Sequence, residues 1–262
     1  MFKSLPLIVA LFLSFAHAVG GQNDPLPRRG VFGAQMQPLS PEKQQELKVS
    51  GGVQLMAILP GTTAEAGKLQ AGDVLIKLGD QAINSPADVG AFVYKTMPGQ
   101  KFSATILREG KEQIVSLTMV ARPKEQGETY EVLYDHVVSH GHRLRTLVTK
   151  PKQEGKRPVL FLIQGIGYSS IEAPLTGAGG YSRILKAFND KGYVTVRVEK
   201  PGLGDSEGGP ANTVDYERDL DAFRQGLKAV KKYDFVDPDN VFVFGHSMGG
   251  CHGPILASEI AV

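Results

Sequence analysis

The segment Asn240-Val-Phe-Val-Phe-Gly245-His-Ser247-Met-Gly249-Gly-Cys-His restricts the fold more than any other part of this chain. An apolar strand runs into Gly-x-Ser-x-Gly and then into a helix-compatible run, the order of a nucleophile elbow. The serine of such an elbow sits on a tight turn between strand and helix. A Cβ at either flanking position, Gly245 or Gly249, would clash there. The turn lifts the Ser247 hydroxyl off the top of a sheet and aims the next backbone N–H, that of Met248, at a developing oxyanion. A fold that carries it needs a sheet whose strands end on one edge, with helices packed alongside.

The 262 residues suit one or two domains. A formal net charge of +2 and the lack of any Lys/Arg run speak against nucleic acid as a partner. A single cysteine excludes an internal disulfide framework. Met1-Phe2-Lys3 followed by the apolar Leu5–Phe15 and by Ala16-His17-Ala18 reads as a secretory signal peptide over residues 1–18. The apolar run is too short to cross a bilayer, so no stable membrane anchor is expected and the location is periplasmic or secreted.

Residues 19–29 are polar and carry Pro25 and Pro27, the composition of a linker. From Gly30 to about Val120, short strands alternate with Gly and Pro punctuation. Val53–Leu59 and Val74–Leu78 read as strands, and Ser85-Pro86 opens a helix that runs to about Lys95. Phe102–Leu107 and Gln113–Val120 flank a hairpin turn at Arg108-Glu-Gly-Lys111. Residues 123–129 form a second polar linker. Beyond them, the apolar runs Pro158–Ile163, Tyr193–Val198 and Val241–Phe244 suit buried parallel strands. Between them lie helical faces, Tyr181, Ile184, Leu185 and Phe188 on one and Leu220, Phe223, Leu227 and Val230 on the next, the latter capped by Asn212 or Thr213. With a strand pair at Tyr130–Ser139 and Arg143–Thr149, this half counts about five strands in an α/β arrangement.

Gly30-Val-Phe-Gly33-Ala-Gln-Met-Gln-Pro-Leu-Ser-Pro-Glu42 resembles the opening of a PDZ domain of the periplasmic high-temperature-requirement (HtrA) protease type. Pro60-Gly61, Ala64-x-Ala66-Gly67, Leu69-x-Ala71-Gly72-Asp73, Ile83-x-Ser85-Pro86-Ala87-Asp88 and Leu107-Arg108-x-Gly110-Lys111 continue the match in order. The resemblance places a PDZ domain at residues 30–122. It implies a groove between the strand near Ala34–Gln37 and the helix Ser85–Lys95, which takes a peptide or protein C-terminus by β-augmentation. The backbone of Val31, Phe32, Gly33 and Ala34 would hold the peptide carboxylate.

The elbow, the segment Leu160-Phe-Leu-Ile-Gln164-Gly165-Ile166-Gly167 and the loop Lys200-Pro-Gly202-Leu-Gly204-Asp205-Ser206-Glu207-Gly208 together resemble the α/β-hydrolase superfamily over residues 130–262. The family often has His-Gly where this chain has Gln164-Gly165. The resemblance implies a mostly parallel sheet, Ser247 as nucleophile, and the backbone N–H groups of Met248 and Ile166 as oxyanion donors. It also implies acid and base residues on loops after later strands of an eight-stranded sheet. Only fifteen residues follow Ser247, so the chain is expected to hold the N-terminal part of that domain. Val241–Phe244 would then lie at a sheet edge.

Other polar residues suit ordinary structural roles. His246 shapes the elbow, His252 is buried or caps, and Cys251 packs beneath the turn. His140-Gly-His142 reads as a hairpin turn and Asp205 as a turn residue. No metal site and no cofactor are expected. The expected function is an exported serine hydrolase, acting on a small acyl ester or peptide, with a PDZ peptide-binding module; because the catalytic acid and His are expected beyond the residues given, this chain by itself is expected to be inactive. The alternative is a peptide-binding protein whose hydrolase-like domain is not catalytic.

Overall fold

The computed structural model describes residues 26–167, 169–172 and 181–260. The expected signal peptide and most of Tyr168–Gly180 lie outside the described residues. The N-terminal domain begins with β1 (Gly30–Val31), β2 (Ala34–Pro38), α1 (Pro41–Leu47), β3 (Val53–Ile58) and α2 (Thr63–Ala66). It continues with β4 (Val74–Leu78), β5 (Gln81–Ala82), α3 (Pro86–Lys95), β6 (Lys101–Arg108), β7 (Lys111–Thr118) and β8 (Val120–Ala121). The main sheet has the order β2-β3-β4-β6-β7, with β5 paired to β4. Local chemistry explains its joints. Arg108 faces Lys111 across the hairpin, and Glu109 and Gly110 take φ of 53° and 73°, as a two-residue turn demands. Ser85 and Asp88 close a capping box at the start of α3. Phe32, Val53, Leu55, Leu75, Ile83, Val89 and Ile106 fill the core. Among the described residues strand β2 pairs only with β3, which leaves its outer edge open on the side where α3 lies.

The C-terminal domain contains β9 (Tyr130–Ser139), β10 (His142–Pro151), β11 (Arg157–Ile163), α4 (Ser182–Asp190), β12 (Val194–Val198), α5 (Tyr216–Ala229), β13 (Val236–Gly245) and α6 (Gly249–Glu259). Its sheet has the order β13-β11-β12-β10-β9, so β13 is an edge strand among the described residues. The expected mostly parallel sheet is corrected to a mixed one. β11 runs parallel to β12 and to β13, whereas β10 is antiparallel to both β12 and β9. The reason lies in the connections. A tight hairpin through His140 and Gly141, with φ of 47° and 77°, can only join antiparallel strands, and helical crossovers return the later strands in parallel. Helix α5 is capped by Asp215, which accepts the Arg218 N–H, rather than by Asn212 or Thr213, which form a preceding 3-10 turn. Its apolar face, Leu220, Phe223 and Leu227, meets Phe161, Val196 and Val198. Helix α4 covers the other sheet face, where Leu185 meets Leu147 and Leu162.

The two stretches that polarity marks as linkers are tightly held where they are described. β1 pairs with β8, which brings the two crossings between the domains side by side. Arg28 donates to Asp205 at 2.5 Å and to both oxygens of Glu172 at 2.8 and 3.0 Å. Its guanidinium also stacks on Tyr134, and the Tyr134 hydroxyl donates to Glu172. Arg145 donates to Asp205 at 3.1 Å and to the Leu26 carbonyl, and the Arg29 N–H reaches Asp205 at 2.8 Å. Asp205 is therefore no simple turn residue but the buried anchor of this junction. Arg122 donates to Ser170, Ser170 to Glu199, and the Ile171 N–H to the other Glu199 oxygen. Burial pushes the Glu199 carboxyl up to about 7, against the pull of the Ser170 and Ile171 hydrogen bonds.

Candidate active site

Strands β11 and β13 run in parallel to the end of the sheet, where Ile163 faces Gly245. The His246 N–H then donates to the Ile163 carbonyl at 3.1 Å, and the chain turns sharply. Ser247 adopts φ of 55°, the left-handed region that a side chain rarely enters without a structural demand. The demand is crowding. A Cβ on Gly245 would overlap the Gly249 carbonyl, and a Cβ on Gly249 would overlap that of Ile163. The glycines let the α6 N-terminus approach the sheet end, and Ser247 takes up the turn between them. Its side chain is exposed, and a Cβ on Gly165 would lie 2.8 Å from the Ser247 Cβ. The loop after β11 thus lies directly against the serine.

That loop carries Ile166, exposed to solvent, and the turn carries Met248. Among the described residues, neither N–H finds a protein acceptor. Both residues line a cleft of about 240 Å³, with Leu203 and Val214 as apolar wall and the ion pair of Lys200 and Asp219, 2.7 Å apart, as its polar part. Helix α5 brings Asp219, and the Lys200–Gly208 loop forms the opposite side. The exposed Ser247 thus sits next to two residues, Ile166 and Met248, that line this cleft and whose backbone donors are unpaired among the described residues, two of the parts that acyl transfer uses beside a base.

The neighbouring residues divide by environment. His246 is exposed, and its Nδ1 lies 2.9 Å from the Tyr181 hydroxyl, which also accepts the Gly165 N–H at 3.2 Å. His252 is fully buried against Tyr216 and Phe223, with neither ring nitrogen hydrogen-bonded, and burial lowers its pKa. It is not itself part of the cleft lining, but its ring packs behind Tyr216, which is. Cys251 is corrected from a packed position to an exposed one on α6. The elbow helix turns its other face, with Gly249, His252, Gly253 and Leu256, to the core.

In the N-terminal domain, Gly33 takes φ of 80°, and its carbonyl accepts the Leu59 N–H at 2.9 Å. Phe32 is buried, and its carbonyl accepts the Ala64 N–H. Among the described residues, the N–H groups of Phe32 and Gly33 have no protein acceptor. Val31 closes β1 and Ala34 opens β2, so the four residues form a turn at the head of the open β2 edge.

A family model for PDZ domains matches residues 30–119, and one for serine aminopeptidases of the S33 type matches residues 176–257. The chain pairs a PDZ domain with an α/β-hydrolase domain. A probable periplasmic serine endoprotease, DegP-like, from Brucella suis is 27% identical over 137 residues, covering 50% of this chain and 26% of the relative. A probable periplasmic serine protease, do/HhoA-like, from Haemophilus influenzae is 32% identical over 101 residues, covering 38% of this chain and 22% of the relative. The chain thus spans about a quarter of the length of these curated relatives. Among solved structures, the HtrA-type protease AlgW with decapeptide is 28% identical, with a TM-score of 0.33 over 37% of this chain and 30% of that one. The structure of DcsB in complex with its substrate analogue is 19% identical, with a TM-score of 0.42 over 50% of this chain and 42% of that one.

The turn of the PDZ domain was placed by resemblance, whereas the elbow of the hydrolase domain was visible in sequence, because glycine spacing marks it. Tyr181 and the Arg28–Asp205 junction were not. Tyr181 reads as one more apolar position of a helix face, and its hydroxyl contacts come from residues 16 and 65 positions away.

Proposed function

We propose that this protein is an exported serine hydrolase, in which Ser247 attacks the carbonyl of a small acyl ester or peptide. Its PDZ domain binds peptide or protein C-termini. The observation that carries the reading is Ser247 at φ 55° between two glycines that admit no Cβ, beside the free N–H groups of Ile166 and Met248 on one cleft wall. In this reading, those two N–H groups receive the oxyanion, and the cleft takes the acyl group. Losing one such donor costs about two to three powers of ten in rate.

A fluorophosphonate probe tests the assignment. It is expected to label the intact protein at Ser247, and Ser247→Ala is expected to abolish labelling. An alanine variant that labels fully, or a native protein that stays unlabelled, would count against Ser247 as nucleophile. The alternative is a peptide-binding protein with a non-catalytic hydrolase-like domain. It draws on His252, whose ring is fully buried behind Tyr216, and on His246, whose Nδ1 is engaged by Tyr181.

In the PDZ domain, the turn Val31-Phe32-Gly33-Ala34 would hold the carboxylate while β2 pairs with the peptide backbone. Peptides with a free hydrophobic C-terminus are expected to bind, and amidation of that terminus is expected to weaken binding. Equal affinity of acid and amide forms by calorimetry would remove the carboxylate site.

A further inference from the structure

We infer that Tyr181 is a positioning residue of the acyl-transfer site: its hydroxyl fixes the register between the loop that carries Ile166 and the elbow that carries Ser247. The consequence for reactivity rests on the nucleophile reading above; the contact itself does not.

Beyond Ile163 the chain leaves the sheet ladder, and the buried Gly165 needs another acceptor for its N–H. Tyr181 supplies it at 3.2 Å. A phenol has one proton and two lone pairs, so it can accept from Gly165 and donate elsewhere at once. The second partner is His246 Nδ1 at 2.9 Å, with the rings edge to face at 5.6 Å. We assign the phenol proton to this contact, which places the imidazole proton on Nε2.

The two residues that Tyr181 holds each precede a residue of the site by one position. Gly165 precedes Ile166, and His246 precedes Ser247. One hydroxyl thereby sets the spacing between an oxyanion donor and the nucleophile, and it also commits the Gly165 N–H, leaving that of Ile166 for the oxyanion. The ring is itself fixed, since Tyr181 packs against the cluster of Leu147, Leu162, Ile171 and Leu185 at the start of α4. A phenylalanine keeps that packing and removes only the hydroxyl.

The test compares native protein with Tyr181→Phe by two independent readouts. In NMR spectra, the native His246 imidazole is expected to show the Nε2-protonated tautomer. In the variant, that preference is lost and the Gly165 amide proton moves upfield. With a fluorophosphonate probe, labelling of Ser247 is expected to slow roughly 10- to 100-fold, the cost of a displaced reacting group, at unchanged thermal midpoint within a few degrees. Unchanged Gly165 and His246 resonances would overturn the contact whether or not Ser247 reacts. Altered resonances with an unchanged labelling rate would overturn the positioning role. Altered resonances in a protein whose native form is not labelled would support the contact and count against the nucleophile reading instead.

Discussion

Replacing Asp205 with alanine is expected to destabilise the protein by about 3–5 kcal/mol, the usual cost of removing one partner from a buried ion pair. Its carboxylate is about 1% exposed and receives Arg28, Arg145 and the Arg29 N–H. Alanine would leave the Arg145 guanidinium, also buried, without its carboxylate, and would strip Arg28 of one of two anionic partners. Urea titration of both forms measures the loss. Hydrogen exchange adds a local readout, since the amides of Arg28 and Arg29 should open far more readily in the variant. A loss under about 1 kcal/mol, the size of an exposed pair, would mean that the junction is solvated and that Asp205 does not anchor it.

The second large effect is a pH dependence. The Glu199 carboxyl stands near 7 in the folded protein against an ordinary 4.5, because burial penalises its anion. The folded state therefore holds a proton that the unfolded chain releases first. This contribution is fully present below pH 4.5, declines as pH rises, and is lost above about 7. A shift of that size corresponds to about 3 kcal/mol across the window. Glu199→Gln keeps the acceptor for the Ile171 N–H and cannot ionise. The stability of the variant relative to the native protein should rise by about that amount between pH 4.5 and 8, while other titrating groups cancel in the comparison. A difference that stays constant from pH 4.5 to 8 would place the Glu199 carboxyl in its ordinary range.

How much of this was legible beforehand depends on the range of the interaction. The elbow is local: Gly245 and Gly249 flank Ser247, and the steric need for them follows from four or five consecutive residues. The Ser85–Asp88 capping box and the Arg108–Lys111 hairpin are equally short in span. The hairpin at His140-Gly-His142 was legible, but the antiparallel pairing of β10 with β12 was missed because apolar runs report burial and say nothing of strand direction within a sheet. Cys251 was misplaced because small, apolar-leaning residues on an elbow helix face either way, and only packing of His252 and Leu256 into the core settles the rotation. The junction is the extreme case. Arg28 meets Glu172 and Asp205 at separations of 144 and 177 positions, and each of these residues alone looks like ordinary polar loop.

The pairing of β1 with β8 has a mechanical consequence. A domain hung on one peptide strand can spin about it, since each single bond along the tether turns freely. Here the chain enters and leaves the PDZ domain through adjacent, hydrogen-bonded strands, and twisting that stem means shearing a ladder and dragging Arg28 off its carboxylates. The stem therefore acts as a keyed shaft in place of a string. The groove beside β2 keeps one heading relative to Ser247, and under the proposed function a captured chain would meet the cleft from that direction.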